Sequence, residues 1–384
     1  MQAGKNQLDC VTLAGCGDIG TGHTPPESAF THVTAALRQA DFRFAQVEKL
    51  YSERGSYQWQ SGALNIEARK PPHTAAAFKA VAFSVLSLAS NHIGDWGTEA
   101  IEDTIDTFRD LGIPTIGAGR DIAAARAPVI LEKNGLKIAF LAYCSVLLPQ
   151  FWADEKRAGC APMRAHTFYE PYEFQPGSPP RIVTVPHKSD LAQLVDDVRK
   201  ARQKADVVVV SLHWGLHYVP QPQEYQPLVA HAAIDAGASV ILGHHPHQPQ
   251  AIELYKGAAI FYSLGNFVFH RRGGGPAPCM PGGECTHKEV YSKEMDPGHY
   301  YDYRRHWNES GIAYLELDRS GLRNATYLPT FLDAAGLPQI LTPDDPQFET
   351  SRRYLEWLAK YVDGGISEIP VKDGRYVIFR RDRT

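Results

Sequence analysis

The chain has 384 residues, of which 43% are hydrophobic and 10% aromatic, and 39 Lys and Arg residues nearly balance 43 Asp and Glu residues to leave a net charge of −4. This apolar fraction is sufficient for a folded core and excludes a disordered chain. The near-neutral charge excludes non-specific binding of nucleic acid by the bulk surface. Of the 16 histidines, six fall between His213 and His247.

Strand-like apolar runs alternate with amphipathic helical stretches over most of the chain. This alternation predicts an α/β fold. We predict strands at residues 10–15, 42–47, 81–88, 113–116, 137–143, 206–212, 238–242 and 258–264. We predict helices at residues 27–40, 98–111, 190–204 and 223–235, and Gly112 stands where a glycine commonly ends a helix.

The pattern changes near the end of the chain. Residues 312–317 and 323–328 flank a glycine turn and predict a β-hairpin, followed by a helix at 346–361 and a strand at 375–379. Two long segments, at about 148–186 and 270–306, are rich in Pro, Gly and aromatic residues and are expected to be lid or binding loops. We therefore predict a main domain at 1–335 with these two insertions, and an extension at 336–384 that packs on it.

Polar residues that can bind metal recur just after the predicted strands. They are Asp18, Glu48, Asn91, His92, His213, His244, His245 and His247. Open α/β sheets place ligands beyond the carboxyl ends of their strands, so these side chains are expected to meet at one edge. Imidazoles suit Zn or Fe, carboxylates suit Mg or Mn, and a mixed set of this kind often holds two metal ions. We therefore expect one or two divalent metal ions.

Each of these residues also has a structural interpretation. Asp18 could cap the following helix, and Glu48 could be a solvated charge at a strand end. A polar pair such as Asn91 and His92 is unusual directly after a long apolar run, which favours a functional role for both. The segment from Gly243 to His247 is the most informative, because three histidines in four residues are difficult to explain structurally.

In this order and spacing, the motifs are similar to those of the CapA family (poly-γ-glutamate capsule biosynthesis protein type), a branch of the calcineurin-like metallophosphoesterase superfamily. The motifs are Gly17-Asp18-Ile19, Gln46-Val47-Glu48, Ser90-Asn91-His92 with Asp95 and Gly97, His213-Trp214-Gly215, residues 234–238, residues 243–247 and residues 262–267. The resemblance implies a four-layer α-β-β-α sandwich. It also implies that His92 lies near the reacting group and that the metal ligands are Asp18, Glu48, Asn91, His213, His245 and His247.

The chain departs from the superfamily pattern at the first site and from the family pattern at His23, Gln46 and His217, where Arg, Asn and Glu are common. The superfamily usually carries Asp-x-His at the first site, whereas Asp18 is followed by Ile19 and Gly20. The departure predicts that one metal position is weaker or empty. His217 stands where the family commonly has Glu, and this histidine could add a ligand or a proton-transfer group. We include His217 and His244 with His92 as candidate catalytic residues.

The second long insertion is expected to contact substrate. Arginines bind carboxylates and phosphates through paired hydrogen bonds, and tyrosines stack on flat groups. We predict substrate contacts from Asn266, Arg271, Arg272, Tyr301 and Arg304. The expected substrate is a small molecule or peptide with an anionic group.

Three functions are compatible with these residues. The first is a metal-dependent hydrolase that uses an activated water on a phosphoester or amide bond. The second is a metal-dependent peptide Cα epimerase, an activity that the family also includes. The third is a non-catalytic protein of capsule assembly. Neither a signal peptide nor a membrane helix is predicted, and the six scattered cysteines are expected to be free thiols, which favours a cytoplasmic location without membrane partners.

Overall fold

The computed structural model describes residues 10–58, 69–171, 173, 175, 177, 178, 180–270 and 303–381. Its strands are β1 Val11–Gly20, β2 Phe42–Val47, β3 Leu50–Tyr51, β4 Arg69–Lys70, β5 Val85–Ser87, β6 Thr115–Ile116, β7 Ala118–Gly119, β8 Val129–Lys133, β9 Leu136–Cys144, β10 Gly159–Cys160, β11 Ala165–Pro171, β12 Pro180–Pro186, β13 Val207–His213, β14 Val240–His244, β15 Ile252–Tyr255, β16 Ala258–Phe261, β17 Asn266–Phe269, β18 Glu309–Asp318, β19 Gly321–Leu332, β20 Pro338–Ile340, β21 Val371–Lys372 and β22 Arg375–Arg380. Its α-helices are α1 Thr34–Leu37, α2 Ala76–Val81, α3 Thr98–Asp110, α4 Ile122–Arg126, α5 Lys188–Arg202, α6 Tyr225–Asp235, α7 Tyr303–His306 and α8 Pro346–Leu358.

Two large sheets form the centre of the protein. The larger sheet has the order β21-β22-β19-β18-β1-β2-β5-β6, with β17 beside β1 and β20 beside β19. The smaller sheet has the order β15-β16-β14-β13-β9-β8. Strand β13 is parallel to both β9 and β14, and all its residues are buried. A continuous apolar run of this kind is typical of a parallel strand that is covered on both faces.

The two sheets pack face to face. A Cβ atom at Gly15 of β1 would lie 3.2 Å from a methyl carbon of Leu242 in β14. Phe44 of β2 stacks parallel to Phe140 of β9, with ring centroids 6.4 Å apart. Helix α3 packs against β6 of the larger sheet, and α5 packs against β9 and β13 of the smaller one. This arrangement confirms the predicted α/β class and the four-layer sandwich.

Several predicted elements have different bounds in the structure. The apolar run at 81–88 is divided between α2 and β5, because Ala82 adopts a left-handed conformation (φ 60°) that ends the helix. Residues 27–40 form a 3-10 turn, Pro26–Phe30, and the short α1 instead of one helix. The segment at 148–186 contains the antiparallel hairpin β11–β12 rather than an irregular loop. The aromatic pair Phe168-Tyr169 in β11 and the β-branched run 182–185 in β12 favour this pairing.

The C-terminal extension contributes strands to the larger sheet. Strand β22 pairs with β19, and Leu358 and Tyr376 belong to the same buried core as the rest of the chain. Within the insertion at 270–306, residues 271–302 lie outside the described residues. Among the described residues, none of the helices is both long and apolar enough to cross a membrane.

The packing of the extension can be tested with two matched leucines. Leu358 of α8 is fully buried, whereas Leu228 of α6 is 52% exposed. We expect Leu358→Ala to lower the free energy of unfolding by about 2–5 kcal/mol, because it leaves a cavity in the core. Leu228→Ala should change it by less than about 1 kcal/mol. Urea unfolding followed by circular dichroism measures both, and an equal effect of the two changes would contradict a shared core.

Candidate metal centre

Asp18 lies within β1 rather than after it. Strand β1 continues past the predicted end because β17 pairs with its last residues, with Asp18 opposite Asn266. The Asp18 amide donates to the Gly265 carbonyl at 2.9 Å. A Cβ atom at Gly17 would lie 2.0 Å from the same carbonyl oxygen, so only glycine fits there. The side chain of Asp18 is therefore fixed in the buried edge of the sheet, where it is fully inaccessible to solvent.

Glu48 lies at the centre of the cluster. It follows β2, its amide donates to the Ile19 carbonyl at 3.0 Å, and its side chain is buried. Oε1 of Glu48 lies 3.8 Å from Nε2 of His213 and 3.9 Å from Nε2 of His247. Burial raises the pKa of Glu48, and the Asp18 carboxylate raises it further against the opposing effect of His247. The carboxylate is therefore in a place that favours a nearby cation.

Three further predicted ligands meet on one side of Glu48. Nε2 of His213 lies 2.9 Å from Oδ1 of Asn91 and 3.2 Å from Nδ1 of His245. Burial lowers the pKa of both His213 and His245 well below the ordinary value, and the neighbouring histidines lower it further. Both rings are thus held in the neutral form that binds metal.

His247 is oriented by a buried asparagine. Nδ1 of His247 donates to Oδ1 of Asn266 at 2.8 Å, which leaves Nε2 on the side of Glu48. Nδ2 of Asn266 donates to the carbonyls of His247 and Trp307 at 3.1 and 3.0 Å. The side-chain amide of Asn266 makes these three bonds in a fully buried position. Asn266 therefore positions His247, whereas the sequence predicted that it contacts the substrate.

His244 points between the two sheets instead of toward the opening of the site. It is fully buried, its Nδ1 lies 3.1 Å from Oδ1 of Asp18, and its ring is 5.9 Å from that of Phe44. As the last residue of β14 it shares the inward face with Leu242. The burial of His244 is incompatible with the substrate contact that a catalytic residue makes. Its ring instead packs beside the Asp18 carboxylate.

The other two candidate catalytic histidines lie nearer the surface. Nδ1 of His92 donates to Oδ2 of Asp95 at 2.8 Å. Burial lowers the pKa of His92, but the hydrogen bond and charge of Asp95 outweigh it, and the net pKa is raised. The ring of His217 lies 4.0 Å from that of His245 and 5.2 Å from that of His247.

The predicted contacts of the second insertion fall mostly beyond the described part of the chain. Arg271, Arg272 and Tyr301 lie outside the described residues, and of Arg304 only the backbone, in α7, is described. The residues in the structure that the sequence did not assign to the site are Asp95, as the partner of His92, and Trp307. The spacing of three residues between His92 and Asp95 was a usable signal, whereas Trp307 acts through its carbonyl group, which no sequence pattern marks.

A family model described as "Bacterial capsule synthesis protein PGA_cap" matches residues 10–271. The chain belongs to this family. The CapA resemblance inferred from the motifs is thereby confirmed.

Two curated relatives of this chain are named as capsule proteins of bacilli. The "Capsule biosynthesis protein CapA" of Bacillus anthracis is 30% identical over 269 residues, which are 67% of this chain and 60% of that protein. The "PGA biosynthesis protein CapA" of Bacillus subtilis (strain 168) is 30% identical over 63% of this chain and 57% of that protein. The matches thus span about three-fifths of the length of these relatives.

A solved structure with a related chain trace is the purple acid phosphatase PPD1 from yellow lupin (Lupinus luteus) seeds. The two chains are 10% identical, with a TM-score of 0.35, and the match covers 87% of this chain and 53% of the phosphatase chain.

The donor set of the PGA_cap site fits a divalent metal ion. Asp18, Glu48 and His213 each offer one ligand atom, and these atoms lie within 4.8 Å of one another. Oδ1 of Asp18 and both carboxylate oxygens of Glu48 are buried without a hydrogen-bond partner among the described residues. Buried carboxylate oxygens without partners carry a large desolvation penalty that a bound cation would relieve.

The role of Glu48 can be tested by removing its charge. We expect metal-free Glu48→Gln to unfold at a temperature no lower than wild type, because the change removes a buried charge. A metal concentration of 100 times Kd should stabilise wild type by about 2.7 kcal/mol and the variant by much less. Thermal unfolding with and without Mn²⁺ or Zn²⁺, together with metal analysis, measures this. Exposed Glu53→Gln is the control, and a Glu48→Gln protein with full metal content would contradict the assignment.

Proposed function

We propose that the protein is a metal-dependent hydrolase that cleaves a phosphoester or amide bond in a small anionic or peptide-like substrate. The observation that carries the proposal is the set of buried carboxylate oxygens without partners, next to neutral imidazoles and beside the His92–Asp95 pair. Perturbed titratable groups that converge in one place are characteristic of reactive sites.

The residues that would hold the metal lie around Glu48. Asn91, His213 and His245 meet on one side, ligand atoms of Asp18 lie within 4.8 Å of those of Glu48 and His213, and Nε2 of His247 lies 3.9 Å from Oε1 of Glu48. When bound, a divalent ion such as Mn, Zn, Fe or Mg would supply Lewis-acid polarisation of a phosphoryl or carbonyl oxygen and a nucleophilic water at neutral pH.

The protein's own proton carrier in this proposal is His92. Its Nδ1 is held by Asp95, so Nε2 is the ring nitrogen left to donate a proton to the leaving group. The Asp95 carboxylate keeps the ring in this tautomer and favours its charged form, as required of a general acid. His217, whose ring is stacked on that of His247 and lies 4.0 Å from that of His245, is in a place to orient the leaving group.

The names of the relatives support a second candidate, a non-catalytic protein of capsule assembly. They are described as capsule or PGA biosynthesis proteins, and a Mycobacterium tuberculosis relative as a "Probable polyglutamine synthesis accessory protein". These descriptions also add amide-linked glutamyl chains to the candidate substrates. The four described cysteines, Cys10, Cys16, Cys144 and Cys160, are free thiols, which supports a cytoplasmic location as part of the proposal.

The proposal is tested by turnover in isotopically labelled water. The protein, loaded in turn with Mn²⁺, Zn²⁺, Fe²⁺ or Mg²⁺, is given p-nitrophenyl phosphate, bis-p-nitrophenyl phosphate and γ-glutamyl-p-nitroanilide in H₂¹⁸O. We expect ¹⁸O in the acyl or phosphoryl product. Deuterium uptake at Cα of a peptide in D₂O without bond cleavage would establish an epimerase instead. Metal binding without either reaction would favour the assembly protein.

The role of His92 gives a separate prediction. We expect His92→Asn to lower kcat about 10²–10⁴-fold, the usual contribution of a general acid, while metal content stays at the wild-type level. His73→Asn, at an exposed histidine, is the matched control and should retain full activity. Steady-state kinetics with metal analysis of both variants checks this, and an unchanged kcat in His92→Asn would rule out the assigned role.

A further inference from the structure

A second group of nitrogen-bearing side chains lies beside the metal-ligand residues, three of them after strands of the larger sheet and one in the small β3–β4 sheet. It consists of His23 after β1, Lys49 after β2, Lys70 at the end of β4 and His270 after β17. We name these four residues the cationic cluster. The sequence assigned no role at the site to any of these four residues, so only the fold brings them together.

Two nitrogens of the cationic cluster, one from His270 and one from Lys70, converge over one glycine. A Cβ atom at Gly22 would lie 2.7 Å from Nδ1 of His270 and 2.9 Å from Nζ of Lys70. The rings of His23 and His270 meet edge to face with centroids 4.9 Å apart. The absence of a side chain at Gly22 thus leaves room for these groups to approach the same point.

His23 is held in a fixed position within this cluster. It is only 8% exposed, and its Nε2 donates to the Ala335 carbonyl at 2.9 Å. Its Nδ1 is buried and has no hydrogen-bond partner among the described residues. When the ring is charged, Nδ1 carries a second N–H donor, which an anion would accept.

Phe269 joins the cationic cluster to the metal-ligand residues. Its ring centroid lies 5.4 Å from that of His247 on one side and 5.4 Å from Nζ of Lys49 on the other. Lys49 is 8% exposed and directly follows Glu48. One extended substrate could therefore reach both groups of side chains.

The surroundings of His23 oppose its protonation. Burial lowers the pKa of His23, and the neighbouring His270 and Lys70 lower it further, against the opposite effects of the Ala335 carbonyl and the Asp333 carboxylate. Asp333 already accepts hydrogen bonds at 2.9–3.0 Å from the amides of residues 335 and 337 and the side chain of Gln339. An anion bound beside Nδ1 of His23 would favour the charged form of the ring.

We propose that the cationic cluster is a subsite that binds an oxyanion of the substrate, a carboxylate or a phosphate group, next to the bond that is cleaved. The proposal rests on the proposed function for the identity of the ligand as a substrate. Lysine ammonium groups and charged imidazoles form strong charge-assisted hydrogen bonds to such oxygens. A site of this kind selects substrates that carry a second anionic group at a fixed distance from the reacting bond.

The test uses the metal-loaded full chain and two probes, inorganic phosphate and γ-L-glutamyl-L-glutamate, with Kd measured by isothermal titration calorimetry. We expect Lys70→Met to weaken binding of at least one probe by about ten-fold, as the loss of one charge-assisted bond implies. Lys70→Arg should restore most of the affinity. Lys79→Met, at an exposed lysine of α2, is the matched control and should bind as wild type does. The probe that is weakened identifies the oxyanion as phosphate or carboxylate.

A second variant keeps every charge. Gly22→Ala places a methyl group where the nitrogens of Lys70 and His270 converge, and it should also weaken the affected probe. Unchanged Kd values for both probes in Lys70→Met and Gly22→Ala, with wild-type melting temperature and metal content, would overturn the subsite. Binding that depends on Lys70 in a protein that turns over no substrate would overturn the hydrolase and leave the anion site in place.

Discussion

The carboxylates of Asp18 and Glu48 lie buried beside each other, and three of their four oxygens accept no hydrogen bond from the described residues. Burial of an uncompensated pair of this kind costs a folded protein several kcal/mol per charge, a cost that a bound cation would offset. Burial lowers the pKa values of His213 and His245, so that these two rings bring lone pairs rather than charge. The arrangement therefore fits a bound cation, and the elements around it hold these side chains in place.

Close approach of backbones is the first of these means. A Cβ atom at Gly17 or at Gly243 would lie 2.0 Å from a carbonyl oxygen of the adjacent segment, so glycine at both positions lets the strands carrying Asp18 and His244 come this close. His245 and His247 have positive φ angles of 97° and 58°, a conformation that non-glycine residues rarely adopt. The turn after β14 is thus held in a strained form, and strain of this kind persists where neighbouring contacts enforce it. The Asn266 bonds to His247 are such contacts.

Local pattern was sufficient to predict the α/β class and the strand ends at which the site lies, whereas the four layers were implied by the family resemblance. Buried runs such as β13 carry their own signal, and polar residues at their ends meet because parallel strands end at one edge. The failures have a common physical origin in long-range contacts. Asp18 lies inside β1 because β17, distant in sequence, extends the strand, and His244 faces inward because of strand alternation rather than residue type. The roles of Asn266 and of the cationic cluster depend on neighbours that no short window of sequence contains.

The departure at position 20 links the two groups of charged side chains. Where the superfamily carries the histidine of Asp-x-His, this chain has Gly20, and a Cβ atom there would lie 3.1 Å from the Phe269 ring and 3.2 Å from Cε of Lys49. A histidine at this position would have to displace both side chains. The space beside Gly20 is thus taken by the stem of Lys49 and the aromatic ring that it packs against. A ring nitrogen near Asp18 comes instead from His244, at 3.1 Å. In the proposed site, Lys49 would therefore add a positive charge beside the metal-ligand residues, at the position where the superfamily pattern has a neutral imidazole, and the metal centre and the anion subsite would share this edge.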